Sequence, residues 1–270
     1  MGVPGELRGY HHLHTRYGKL PWSRLFEPAI ELNRKGFKVP SQLNTSIASY
    51  ADRLLCKDAL FKEVYCPNGT AAGLGDTIKR ERLAKTMEIL AQEGPDAFYT
   101  GAMAKRTVEA IQSRGGIMTT DGLAQYKAII REPLHIDFPN HQRVWSAGAP
   151  SSGAVVLSAI KTMAQYREEE LDAGGVNLTT HRLIEATKFA YGERTHYGDP
   201  DFVKNVTEVE HRSLSDEDAE RKRRRIKDDE TEETAYYDPS KYSVLNDHGT
   251  SQLSAQDNDG LAVALTTTIK

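Results

Sequence analysis

Gly249 and Thr250 open the segment DHGTSQLSAQDNDGLAVALTTTIK, residues 247 to 270, and join a backbone without a β-carbon to a hydroxyl side chain. A threonine hydroxyl is a poor nucleophile unless a base stands beside it. The threonine's own α-amine, with an unperturbed pKa of about 7.7–8.0, becomes that base once the bond before it is cut. Gly249 suits the cut, because without a Cβ it tolerates a strained backbone and leaves its carbonyl open to an N→O acyl shift by the Thr250 hydroxyl. Threonine is also an ordinary strand residue and Gly-Thr an ordinary dipeptide, so this stretch alone leaves both readings open.

The elements that would hold these residues follow from the same segment. SQLSAQ and LAVALTTTI are strand-like, and Asn258-Asp259-Gly260 between them is a hairpin signal. A three-residue loop with Gly260 in the left-handed position of a G1 bulge pairs Asp257 with Leu261. Followed down the ladder, that register sets Thr250 opposite Thr268, on one face, with Cβ atoms about 5 Å apart. A loop longer or shorter by one residue breaks the pairing.

Other clusters carry less chemistry. Ser151-Ser152-Gly153 lacks the G-x-S-x-G pattern of a serine nucleophile and reads as a cap for the helix that follows. His11, His12 and His14 have no carboxylate or cysteine beside them and read as a polar helix end or loop, not as metal ligands. Asp199-Pro200-Asp201 reads as a turn, since Asp-Pro favours turn initiation. No motif asks for a metal or a cofactor.

The first half of the chain is a series of amphipathic helices ended by glycine. Leu25, Ile30 and Leu32 precede Gly36; Leu83, Met87 and Leu90 precede Gly94-Pro95; Ala104, Val108 and Ile111 precede Gly115-Gly116. From Glu132 the pattern changes. PLHIDF and QRVWSAG are short strands, SSGAVVLSAIKTMAQY is a buried helix, and HRLIEATKFAYGERTHYGDPDF is a helix with Leu183, Thr187, Ala190 and Tyr191 on its inner face. SDEDAERKRRRIKDDETEET is all charge, with acidic residues on both sides of its basic run, and reads as a solvated surface helix or loop.

The 270 residues carry 35 Lys and Arg against 38 Asp and Glu, a net charge of −3, with 39% hydrophobic residues. That composition can bury a core and gives no reason to expect nucleic acid or an anionic membrane as partner. No window approaches the ~18 apolar residues of a membrane span, and the N-terminal segment has no signal-peptide core as written. The two cysteines, Cys56 and Cys66, either close a small disulfide loop or stay as buried thiols. Four sequons, at Asn44, Asn68, Asn177 and Asn205, favour a secretory route, which a Cys56–Cys66 bridge fits.

Strings along nearly the whole chain resemble γ-glutamyltransferases (glutathione hydrolases), in order and at suitable spacing: VPGELRG, LPW with LFEPAI and GF, EGPDAFYTG, GGIMTTDGLAQY, APSSG, EATKFAYGERTHYGDPDF and DHGTSQLSAQDNDGLAVALTTTI. The block from His181 to Phe202 and the Gly-Thr hairpin are the specific ones. The resemblance implies an α/β N-terminal-nucleophile hydrolase, a four-layer αββα sandwich that is incomplete in this chain. It implies a precursor that cuts itself between Gly249 and Thr250. Residues 1–249 are then the C-terminal part of the large-subunit region, mainly helical, and residues 250–270 begin the small-subunit region. Thr250 matches the nucleophile and Thr268 the second threonine that hydrogen-bonds it. The implied substrates are glutathione and other γ-glutamyl compounds, with amino acids, dipeptides or water as acceptors and no cofactor. The implied location is the secretory pathway, at the extracellular face of the plasma membrane or in a vacuolar lumen.

The same resemblance marks departures. The family's chain is considerably longer, and its α-carboxylate-gripping arginine belongs to a preceding segment. Its oxyanion-hole glycines, paired serines and amine-reading acidic residues belong to a following one. Lys270 stands where the family has asparagine, which removes one substrate contact. On this reading the 270-residue polypeptide by itself is expected to be inactive, poorly soluble and little cleaved. Two alternatives stay open: a related amidase of the cephalosporin-acylase kind, and an inactive remnant without catalysis.

Overall fold

The computed structural model describes residues 2–139, 141–238, 240 and 249–268. Its backbone divides into two compact units, Met1–Ala128 with Ser251–Lys270, and Ile129–Thr250. The change of sequence pattern at Glu132 lies close to that division. Among the described residues every sheet is a two-stranded antiparallel pair.

In the first unit the glycine-ended helices form at Glu27–Lys35, Glu81–Glu93 and Gly101–Gln112. The buried face of the first of these is not the expected one. Leu25 and Leu32 are 48% and 52% exposed, and Asn33 is buried in their place. Two groups explain the exchange. The Asn33 amide is satisfied by the Ala29 carbonyl at 2.7 Å, so its burial leaves no orphan donor. Trp22 takes the apolar position instead, donating from its indole to the Leu90 carbonyl at 2.8 Å and meeting the ring of Phe26 edge-on.

His11 and His14 also stand edge-on to Trp22, each with ring centroids 5.5 Å away. They belong to a helix, Glu6–Tyr17, that sequence periodicity did not reveal, and His14 stands in its last turn, so the cluster does lie toward a polar helix end. A second tie to the N-terminal segment is Tyr99, fully buried, whose hydroxyl donates to the Pro4 carbonyl at 2.7 Å beneath the Arg8 guanidinium. Cys56 and Cys66 are disulfide-bonded with Cα atoms 5.4 Å apart, on either side of the Ala59–Tyr65 helix.

In the second unit Leu134–Asp137 pairs antiparallel with Arg143–Ser146, Leu134 opposite Ser146. The Gly153–Met163 helix is buried along most of its length. It packs with the Glu168–Arg194 helix around Val155, Ala159, Ala186, Phe189, Ala190, Ile226 and Tyr237. The long helix is interrupted at Gly175. Its inner face differs from expectation: Leu183 and Tyr191 are 45% and 53% exposed, while Arg182 and Glu185 are buried. Both polar groups are matched. Arg182 holds the Asp228 carboxylate with two bonds, of 2.8 and 2.7 Å. Glu185 accepts from Lys188 at 2.8 Å, from Thr231 at 2.7 Å and from the Tyr237 hydroxyl. A polar side chain with partners of this kind loses little by burial and can displace an apolar one from the inner face.

Gly192 shows how tightly this unit is closed. A Cβ there would lie 2.0 Å from the Tyr237 carbonyl oxygen, against backbone that cannot swing aside. Gly192→Ala should therefore lower stability by about 1–3 kcal/mol or more through overpacking. Thermal unfolding reads this directly, and a Tm equal to wild type would contradict the close approach.

Candidate active site

The closing hairpin has the turn its sequence requires. The Asp257 N–H donates to the Leu261 carbonyl at 3.0 Å and the Gly260 N–H to the Asp257 carbonyl at 3.2 Å. Gly260 has φ of +87°, a conformation a side chain would strain. The Asp257 carboxylate fixes the loop from within, accepting from the Asp259 N–H at 3.0 Å and the Leu261 N–H at 2.8 Å. The strands Ser251–Gln256 and Ala262–Thr267 then pair from Gln256 opposite Ala262 to Ser251 opposite Thr267. This is the register expected from the turn.

The observed pairing ends there, with Thr250 directly before the first strand and Thr268 directly after the second. Gln252, Ser254 and Thr266 share one face of the ladder, while Leu253, Leu261, Val263 and Leu265 take the other. Gly249 and Thr250 are both exposed.

The remaining candidates fall elsewhere. Asp199-Pro200-Asp201 forms a turn, with the Asp201 N–H donating to Asp199 Oδ1 at 3.0 Å. Both carboxylates grip Arg131, at 2.7 and 3.1 Å, which makes them a charge clamp. Ser152 does not cap the Gly153–Met163 helix through its side chain. Its hydroxyl accepts from Arg194 Nε at 2.8 Å, a charge-assisted bond that outcompetes a capping amide. Two clefts of about 510 and 570 Å³, both lined in part by His135, contain neither Thr250 nor Thr268 in their walls. Among the described residues no group of His, Cys, Asp and Glu is placed to hold a metal ion, and no helix is long and apolar enough to cross a membrane. Lys270 lies outside the described residues.

Sequence reasoning missed one polar centre. The charged run forms the Asp216–Arg225 helix, a surface helix as expected but with one face turned inward: Asp218, Ala219 and Lys222 are buried. Lys222, 1% exposed, brings its ammonium to 2.6 Å from each of three oxygens: Ser158 Oγ, Glu193 Oε2 and Asp218 Oδ2. These join the Gly153–Met163, Glu168–Arg194 and Asp216–Arg225 helices. Arg221 binds Asp218 and lies 3.8 Å from Glu193. Burial pushes the Glu193 carboxyl up to about 7, against the pull of Lys222. Burial also opposes ionisation of Asp218, but hydrogen bonds from Lys222 and Arg221 outweigh it and hold that group below its ordinary range. The signal was the spacing of Ala219, Lys222 and Ile226, three and four residues apart along one helix face. The centre ties three helices together through the buried Lys222.

The exposed Gly249-Thr250 step thus leads directly into the first strand of this hairpin. A family model for gamma-glutamyltranspeptidase matches residues 1–270, and the chain belongs to that family. It is 41% identical over 272 residues to a glutathione hydrolase of Aspergillus flavus, covering 99% of this chain and 46% of that one. The chain thus spans less than half the length of this relative. The crystal structure of Helicobacter pylori gamma-glutamyltranspeptidase superposes with a TM-score of 0.75 at 25% identity, over 87% of this chain and 66% of that one. A cephalosporin acylase from Bacillus halodurans superposes with a TM-score of 0.72 at 26% identity, over 83% and 42%. The N-terminal-nucleophile hydrolase fold is common to these structures and to this chain. Fold alone therefore does not separate the γ-glutamyl reading from the amidase alternative, whereas the family match and the curated relative fall on the γ-glutamyl side.

Proposed function

We propose that the gene product is a glutathione hydrolase that cuts itself between Gly249 and Thr250 and then transfers γ-glutamyl groups through Thr250. What supports this is membership of the family together with the hairpin register, which, when extended by one step past Ser251 opposite Thr267, sets Thr268 opposite Thr250. In maturation Thr250 Oγ1 attacks the Gly249 carbonyl carbon, the peptide C–N bond breaks, and the amine of Thr250 takes up the proton. Water then hydrolyses the resulting ester, leaving threonine at a new N-terminus. In turnover that amine, poised near neutral pH at about 7.7–8.0 before perturbation, accepts the hydroxyl proton as Oγ1 attacks a γ-glutamyl amide. The amine product leaves, and water or the amine of an amino acid or dipeptide takes the γ-glutamyl group from the ester.

On this reading residues 1–249 belong to the large subunit and residues 250–270 begin the small one. A secretory destination, facing the cell exterior or a vacuolar lumen, is supported by the Cys56–Cys66 bridge and by the exposed sequon at Asn68. N-terminal sequencing of the complete gene product tests the proposal: a new chain should begin Thr-Ser-Gln-Leu. Thr268→Val keeps the strand and removes one hydroxyl. It should slow both cleavage and hydrolysis roughly tenfold, the effect of losing a hydrogen bond worth about 1–1.5 kcal/mol. Unchanged rates of both would mean that the rung plays no part.

A further inference from the structure

The four sequons occupy different backbones. Asn68 stands in a turn, Cys66-Pro67-Asn68-Gly69, closed by the Gly69 N–H donating to the Cys66 carbonyl at 3.0 Å. Asn68, Gly69 and Thr70 are all exposed. Among the described residues neither the Asn68 amide nor the Thr70 hydroxyl takes part in a side-chain hydrogen bond. The others are engaged. Asn44 is half-buried within the Ser41–Tyr50 helix, and the hydroxyl of its sequon, Ser46, donates to the Gln42 carbonyl at 3.2 Å. Asn177 lies within the Glu168–Arg194 helix, and Thr179 donates to the Leu171 carbonyl at 3.1 Å. Asn205 occupies the N-cap position of the Val206–Ser213 helix, without a side-chain capping bond, and its next residue, Val206, is 1% exposed. Presenting that sequon as an extended segment would uncoil the first turn and strip Val206 from the core.

We propose that Asn68 is an N-glycan acceptor. A sequon is used where its asparagine is on a surface loop and the hydroxyl two residues on is available, and this loop offers both. The position carries a second mark of the same compartment: Cys66, which opens the turn, is disulfide-bonded to Cys56. The co-reactant is an oligosaccharide carried on a polyprenyl diphosphate. Asn68 Nδ2 attacks the anomeric carbon of its first N-acetylglucosamine, the bond from that carbon to the diphosphate oxygen breaks, and the lipid diphosphate leaves with the electron pair. The amide gives up one proton to the transferase's base. This inference rests on the secretory route proposed above and not on the Thr250 chemistry.

The test is to express the full chain behind a secretory leader in a eukaryotic host and recover it from the medium or the secretory organelles. After reduction, the tryptic peptide Glu63–Lys79 is analysed by mass spectrometry with and without a glycosidase that converts a glycosylated asparagine to aspartate. Wild type should show aspartate at position 68 only after treatment. Asn68→Gln and Thr70→Ala should each abolish the glycan at this position, while Asn44→Gln should leave the glycan content unchanged. Thr70→Ala retains Asn68 itself, so it reads the site even where Asn68→Gln does not fold. Unmodified Asn68 in the recovered wild-type chain would overturn the proposal, as would a glycan that persists in Thr70→Ala. Cleavage at Gly249 is read from the same sample. A chain glycosylated at Asn68 but uncut counts against the proposed activity alone, and a cut chain with bare Asn68 counts against this inference alone.

Discussion

Thr250→Ala in the complete gene product should remain one uncut polypeptide and show no γ-glutamyl turnover. Both losses come from the same atom. Without Oγ1 nothing attacks the Gly249 carbonyl, so the α-amine that would act as base is never released. Removing the nucleophile of an acyl-transfer site typically lowers kcat by about 10⁶-fold, and here the base disappears with it. Thr250→Ser keeps the hydroxyl and the exposed position and loses only a methyl group that orders χ1, so it should still cut itself, more slowly. Intact mass after incubation distinguishes the three proteins, and release of amine from a γ-glutamyl anilide gives turnover. A cut between positions 249 and 250 in the alanine variant would sink the assignment of Thr250, whatever the turnover shows.

The parts of this protein that could be read from sequence are those whose physics is local. The hairpin register follows from three residues, Asn258-Asp259-Gly260, because a left-handed glycine fixes the loop length and the period of two does the rest. The helix ends at Gly36 and Gly94 are equally local. What could not be read depends on partners distant in the chain. Glu27–Lys35 buries Asn33 because Trp22 reaches Leu90 and fills the apolar position. The Glu168–Arg194 helix turns Arg182 and Glu185 inward because Asp228, Thr231 and Tyr237 wait for them 46 to 52 residues later, a separation that no helical periodicity encodes. The same applies to the site. The proposed nucleophile and its glycine are adjacent residues and can be picked out, whereas the buried side of the charged run could not, because Lys222 finds Glu193 and Ser158 on other helices.

That buried lysine sets the second large effect. Lys222→Met leaves Glu193 and Asp218 facing each other with only the half-exposed Arg221 beside them. Removing one partner of a buried ion pair costs about 3–5 kcal/mol, so the Tm should fall on the order of 10 °C. The pH dependence separates this from a simple packing defect. Glu193 titrates near 7 in the folded chain against an ordinary 4.5, so the folded state holds a proton that the unfolded state releases. Its contribution to stability is complete below about 4.5 and is lost as pH rises through about 7, a span worth about 3 kcal/mol. Asp218, held low, acts in the opposite sense, and its contribution is lost only in stronger acid. Wild-type stability should therefore decline from pH 5 to pH 8, and Glu193→Gln, which cannot ionise, should flatten that decline. The deficit of Lys222→Met should be largest at pH 8 and shrink at pH 5, where Glu193 takes up its proton and the uncompensated charge is reduced to Asp218 alone. A deficit equal at both pH values would assign the loss to packing and not to the ammonium. A Glu193→Gln profile as steep as wild type would place the titrating group elsewhere.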